Sequence, residues 1–185
     1  GSQYEFHMRE TETYRILEDV AKVRSEIGVL YRNPFNAAVL QRNFQEMKLS
    51  FTPICCVKPH IFLGTQHPLT KKAEISMEDL RDYPRLSYEQ GQHNSFYFSE
   101  EIQSAAESDK DIVVCDRATL FNLLIGMNGY TICSGIINTE LNGENIVARP
   151  LAVDDYMELG YVLPKERPTS DLTLAYIDLL RQFVC

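Results

Sequence analysis

Three short stretches carry residue types suited to holding a small anion. They are "RETET" at residues 9–13, "YEQGQHNSF" at 88–96 and "DRAT" at 116–119. Each lies where an apolar run gives way to a helical pattern. The first amides of a helix have no partner inside it, and the helix dipole favours negative charge there. In open α/β sheets, ligands sit beyond the carboxyl ends of strands, at junctions of this kind. In the first stretch Thr11 offers a hydroxyl that also suits an ordinary N-cap. Glu10 and Glu12 oppose an anion there unless Arg9 offsets them. In the second, Gly91 lets the backbone approach a ligand closely. Gln90, Asn94 and Ser95 surround it, and the following helix has no glutamate placed to close a capping box over its amides. His93 could make recognition there pH-sensitive, and it equally suits a solvent loop. In the third, Asp116 is the expected cap, while the guanidinium of Arg117 can grip a carboxylate through two parallel hydrogen bonds. Thr119 fronts the same helix.

The rest of the chain offers little to catalysis. No G-x-S-x-G, P-loop or G-x-G-x-x-G pattern is present. The cysteines, Cys55, Cys56, Cys115, Cys133 and Cys185, are odd in number and mostly sit inside apolar runs. That usage suggests reduced thiols and a cytoplasmic setting. Cys55 and Cys56 would alternate faces on a strand, and C-x-x-C and H-x-x-x-H spacings are absent, so neither a metal nor a cofactor is expected. The formal net charge of −8 suits neither a phosphate backbone nor an anionic membrane. No apolar run approaches the ~20 residues of a membrane span, and no secretion signal is evident.

These junctions need elements to position them. The 185 residues, 44% hydrophobic, are enough for one domain or two small lobes. Strands are expected over residues 4–10 and 27–31, with a helix over 14–25 between them. That would be a β-α-β unit with parallel strands. A helix follows over 34–47. Residues 51–63 are β-rich and broken by Pro59, as a segment crossing between two lobes would be. Ser76 and Asp79 match a capping box. Further strands are expected near 84–88, 112–115, 130–133, 145–151 and 158–164, and helices over 95–106, 119–127 and 171–184. Met127-Asn128-Gly129 suits a left-handed helix end. The alternation predicts an α/β protein with mostly parallel sheets covered on both faces. The aromatic residues Phe96, Tyr97, Phe98 and Phe121 are expected in the core.

"IFLGTQHPL", "ISMEDLRDYPRLSYEQG" and "LLIGMNGYTICSGI" together resemble the effector-binding domain of LysR-type transcriptional regulators. The resemblance spans nearly the whole chain. It implies two Rossmann-like lobes joined by two crossover strands, as in periplasmic binding proteins, with a small molecule held in the cleft between them. Residues 3–59 plus 151–185 would form lobe one and residues 60–150 lobe two, with crossovers near Pro59 and Pro150. It also implies self-association of the full-length protein, and DNA contact only through an N-terminal winged helix-turn-helix that is not in this sequence. Lobe one is expected to lack the family's first strand and helix, leaving residues 4–10 near an open sheet edge. The effector would touch Thr11, Gln90, Gly91, Asn94, Ser95, Arg117 and Thr119, and a small carboxylate is the favoured class. A solute-binding protein of the same architecture is the first alternative, and a two-lobed α/β enzyme the second.

Overall fold

The computed structural model describes residues 5–91, 97–99, 102, 108–138 and 144–184. Two sheets organise them. Strands β1 (Gly28–Arg32), β2 (Leu49–Val57) and β8 (Met157–Pro164) form the first, in the order β1-β8-β2. Strands β3 (His60–Gly64), β4 (Arg85–Tyr88), β5 (Asp111–Val114), β6 (Tyr130–Cys133) and β7 (Ile146–Pro150) form the second, in the order β5-β4-β6-β3-β7.

The chain passes between the sheets twice. The outward pass is the short Lys58-Pro59 step from β2 to β3, and the return runs from β7 to β8. The two passes lie side by side, because the Leu151 amide donates to the Pro59 carbonyl at 3.0 Å. A proline at such a step removes a ladder donor that the changing sheet could not satisfy. The fold is therefore α/β, with two lobes joined by two crossovers.

The sheets are less parallel than the alternation of elements predicts. The first is antiparallel throughout, with β8 running back between β1 and β2. In the second, β4 pairs parallel with β5 and β6, whereas β3 pairs antiparallel with β6 and β7. The crossing segments explain this. Strands that deliver the chain to a sheet and remove it again must run against one another. The expected parallel β-α-β unit at the start of the chain does not form among the described residues. Tyr4 lies outside them, and residues 5–10 are irregular and exposed. An extended segment forms a strand only when a neighbour satisfies its backbone groups, and β1 takes its described partner, β8, antiparallel.

Local sequence accounts for the helices. Helix α1 (Thr13–Ala21) buries Leu17 and Val20, and α2 (Ala37–Glu46) buries Leu40 and Phe44, at the spacings that share one helix face. These four side chains meet Leu30, Leu49 and Val162 of the first sheet in one core. Strand β3 is buried on both faces. Ile61 and Leu63 join the core beneath the crossovers, while Phe62 packs with Leu86, Val114, Leu120, Leu124 and Ile146 on the other side. Each such leucine contributes roughly 1.5–3 kcal/mol by leaving water. Helix α3 (Arg117–Gly126) supplies Leu120 and Leu124 to that second face. Helix α4 (Asp171–Val184) closes the chain over the bounds its periodicity predicts. Ser76 and Asp79 realise the capping box, each amide donating to the other residue's side chain. The Lys72 ammonium, followed by the Ser76 bonds, holds the Asp79 carboxyl at about 2. The helix expected over 95–106 lies largely outside the described residues. Within it, Ile102 is buried in the core beneath the crossovers.

Candidate functional site

The motif segments meet first in a buried seam. His67 has 1% of its surface exposed. Its Nδ1 accepts the Leu69 amide at 3.1 Å, which caps the 3-10 turn Pro68–Lys71. Its Nε2 lies 3.1 Å from the Asn128 carbonyl. Since Nδ1 must be an acceptor, the proton sits on Nε2 and is donated to Asn128. Burial pushes the imidazole below the usual histidine range. Asn128 takes the left-handed conformation, φ 51°, that ends α3, and the Gly129 amide then reaches the Leu124 carbonyl at 3.0 Å. Gly129 is fixed by space: a Cβ would stand 2.3 Å from Leu86 Cδ1 and 3.0 Å from the Pro84 carbonyl. "HPL", "YPRL" and "GMNGY" are thus three sides of one packed joint.

A hollow of about 110 Å³ opens between the two sheets. Tyr31 of β1 and Met157 of β8 wall it from the first sheet. Arg117 and Phe121 of α3, Phe62 of β3, Tyr88 at the end of β4, and Cys133 and Ser134 at the end of β6 wall it from the second. Sheet geometry puts these groups together. Tyr88 pairs with Val114, and Arg85 pairs with Tyr130. Strands β5, β4 and β6 therefore end nearly level, and their carboxyl ends present Arg117, Tyr88 and Ser134 side by side. The Tyr31 hydroxyl donates to Ser134 Oγ at 2.9 Å, a bond that joins the two sheets across the hollow.

The first of the three stretches touches each of the other two. The Thr13 amide, at the start of α1, donates to Gln90 Oε1 at 3.3 Å. Gln90 is buried, and its amide oxygen stands where an anion would approach that helix end. The Thr13 hydroxyl is buried without a hydrogen-bond partner among the described residues. Gly91 has φ 58°, and a Cβ there would lie 2.9 Å from Glu12 Oε1. Arg117 Nε donates to Glu10 Oε1 at 3.2 Å, and its guanidinium carbon lies 5.9 Å from the Phe121 ring centroid.

The candidates therefore have different roles. Arg117 lines the hollow. Gln90 and Gly91 meet the start of α1 and are not among the residues that line the hollow. Thr11 donates its hydroxyl to Glu12 Oε2 at 3.0 Å. Both donors of Thr119 are engaged by Asp116, the amide at 2.8 Å and the hydroxyl at 2.7 Å. The Thr119 amide, then its hydroxyl, hold the Asp116 carboxyl below the usual carboxylate range. Asn94, Ser95, His93 and Phe96 lie outside the described residues. Phe121, expected in the core, packs against it and also walls the hollow. Tyr97 is exposed and stacks on Phe35 with centroids 4.9 Å apart.

Tyr31, Tyr88, Cys133 and Ser134 are not among the ligand-binding residues the sequence suggests, although Tyr88 opens the second stretch and Cys133 is one of the five cysteines. Their signal was positional, since each closes or nearly closes an apolar strand. Among the described residues, no three His, Cys, Asp or Glu side chains group closely enough to hold a metal, and no helix is long and apolar enough to cross a membrane.

Comparison with known proteins agrees with this architecture. A regulator described as LysR-family from Pseudomonas aeruginosa is similar in structure, with TM-score 0.62 and 16% identity over 94% of this chain and 58% of its own. The effector-binding domain of QuiR, solved in complex with shikimate, has TM-score 0.60 and 16% identity over 93% of this chain and 78% of its own. The effector-binding domain of a BenM variant has TM-score 0.63 and 15% identity, covering 94% and 77%. The chain thus spans little more than half the length of the Pseudomonas regulator. No curated protein sequence matches it. The sequence matches the model of the LysR substrate binding domain over residues 2–184, and the chain belongs to that family.

Proposed function

We propose that this chain is the sensing module of a transcriptional regulator, and that a small carboxylate-bearing effector binds in the hollow between the sheets. The observation that carries this reading is Arg117, the one guanidinium lining a mostly apolar and aromatic hollow among the described residues. A carboxylate there would replace Glu10 on the guanidinium, with Gln90 and Gly91 nearby at the start of α1. The site residues of the proposal remain Thr11, Gln90, Gly91, Asn94, Ser95, Arg117 and Thr119, now with Tyr31, Tyr88 and Ser134.

Lobe one would comprise residues 3–59 and 151–185, and lobe two residues 60–150. The division follows the sheets, since β1, β2 and β8 fall in the first range and β3 to β7 in the second. Effector binding would shift the relation between the lobes by its differential affinity for their arrangements. Self-association, DNA contact through a separate domain and a cytoplasmic setting are proposed for the whole protein by analogy with the family. The shikimate bound by QuiR is a small ring carboxylate, which supports the ligand class. A sensor is preferred to an enzyme, since the chain belongs to a family of substrate-binding domains.

Thermal shift with benzoate, shikimate and succinate tests this. At least one acid should raise the melting temperature, and Arg117→Gln should reduce that rise, as a lost charge-assisted hydrogen bond would, by about tenfold in affinity. Stabilisation that survives Arg117→Gln unchanged would remove Arg117 from the site.

A further inference from the structure

We infer that Tyr31 and Ser134 form a specificity element that reads a hydrogen-bond acceptor at the end of the effector opposite its carboxylate. The effector class is then a single-ring acid with a distal hydroxyl or keto oxygen. This deepens the effector reading and rests on it.

The first support is the hydrogen-bond count at Ser134, which is buried at 9% exposure. Its Oγ accepts from the Tyr31 hydroxyl at 2.9 Å and from the Ile136 amide at 3.3 Å. A serine oxygen has two lone pairs and one proton. With both lone pairs used, what Ser134 has left to give is its O–H, and the residue lines the hollow. The complementary ligand atom is an acceptor. A second carboxylate would also accept, but that end of the hollow supplies no cation among its lining residues, so a neutral oxygen is the better match.

The second support is distance. Arg117 follows β5 and Ser134 follows β6, with β4 between them. Adjacent strands lie about 4.8 Å apart, so these two strand ends are separated by roughly 10 Å. Side chains reach inward from both, leaving space for one six-membered ring between cation and hydroxyl. The hollow measures about 110 Å³, less than the ~150 Å³ of an engineered cavity that accepts benzene, so a ring acid bound here would extend out through the open side of the hollow. Phe62, Phe121 and Met157 supply faces for a ring.

The third support is location. The Tyr31–Ser134 bond joins the first sheet to the end of β6 in the second. A ligand oxygen bonded to this pair touches both sheets at once. The polar end of the effector would thus favour one relation of the lobes, as well as adding affinity.

Calorimetric titration of the whole chain with 4-hydroxybenzoate and benzoate tests the inference. The hydroxylated acid should bind about tenfold tighter, the scale of one hydrogen bond. Ser134→Ala should bring that ratio close to one while leaving benzoate affinity nearly unchanged, so benzoate doubles as the check on folding. Tyr31→Phe should lower the ratio less, because it frees a lone pair on Ser134 without removing the donor. Equal binding of the two acids by the parent protein, or a tenfold ratio that persists in Ser134→Ala, overturns the inference. Binding of succinate with neither ring acid bound also overturns it, while leaving the carboxylate reading of Arg117 in place. If none of the three acids binds, both fall.

Discussion

The two ends of helix α3 are used in opposite ways. At its carboxyl end, His67 is buried and both ring nitrogens are committed, one to the Leu69 amide and one to the Asn128 carbonyl. At its amino end, about 15 Å away along a ten-residue helix, Arg117 is more than half exposed and shares an ion pair with Glu10. The first end is closed chemistry, in which both ring nitrogens of His67 have protein partners and the space around Gly129 is filled. The second is open chemistry, in which a charged donor is engaged by a side chain that a solute could replace. The difference teaches where to look in such a domain. Motif residues that identify the fold can be the joints of its scaffold, while the groups that could read a ligand lie at strand ends of ordinary composition.

The contrast is sharpest in stability. His67→Ala would strand the buried Leu69 amide and remove a ring packed 4.3 Å from that of Tyr83. It should cost about 1–3 kcal/mol, read from denaturant midpoints. Arg117→Gln should leave the midpoint within experimental scatter, since exposed ion pairs contribute little. If the two variants were equally stable, the seam would not be the joint described here.

Acid should act through the same seam. Folding depresses the His67 pKa chiefly because burial withdraws water from the charged imidazole, and protonating Nδ1 would also set its proton against the Leu69 amide. The unfolded chain therefore takes up the proton first as the pH falls. His67's contribution is complete above the ordinary histidine value of about 6.5 and is lost progressively as the pH drops through and below it. Comparing the parent protein with His67→Asn between pH 7.5 and 5 checks this. The variant should show the shallower decline, and parallel curves would assign acid sensitivity elsewhere.

The smallest expected effect lies at the open end. Glu10→Gln removes the internal carboxylate competing for Arg117. Affinity for benzoate should rise about twofold, on the scale of an exposed ion pair, with stability unchanged. A weaker benzoate complex would mean that Glu10 helps to position the guanidinium instead of competing for it.

Much of this was legible in the residues. Residues 130–133 and 171–184 were expected as a strand and a helix, and the structure gives β6 and α4 those bounds. The capping box at Ser76 and Asp79, the cap at Asp116 and the left-handed end at Asn128 were also visible, because each depends on neighbours within a few positions. Strand direction was not. A pattern of apolar runs has no sign, so an antiparallel first sheet and a parallel one look alike until β8 returns from more than a hundred residues away to lie between β1 and β2. Nor was the pairing of Tyr31 with Ser134, or of Thr13 with Gln90, since neither residue type demands a particular distant partner.

The sequence by itself determined the family, the alternation of elements and the local caps, because periodicity and short-range hydrogen bonding are written in contiguous residues. Tertiary structure alone decided which strand ends face one another across the hollow. That depends on sheet order and on the two crossings near Pro59 and Pro150, where the chain exchanges one set of neighbours for another.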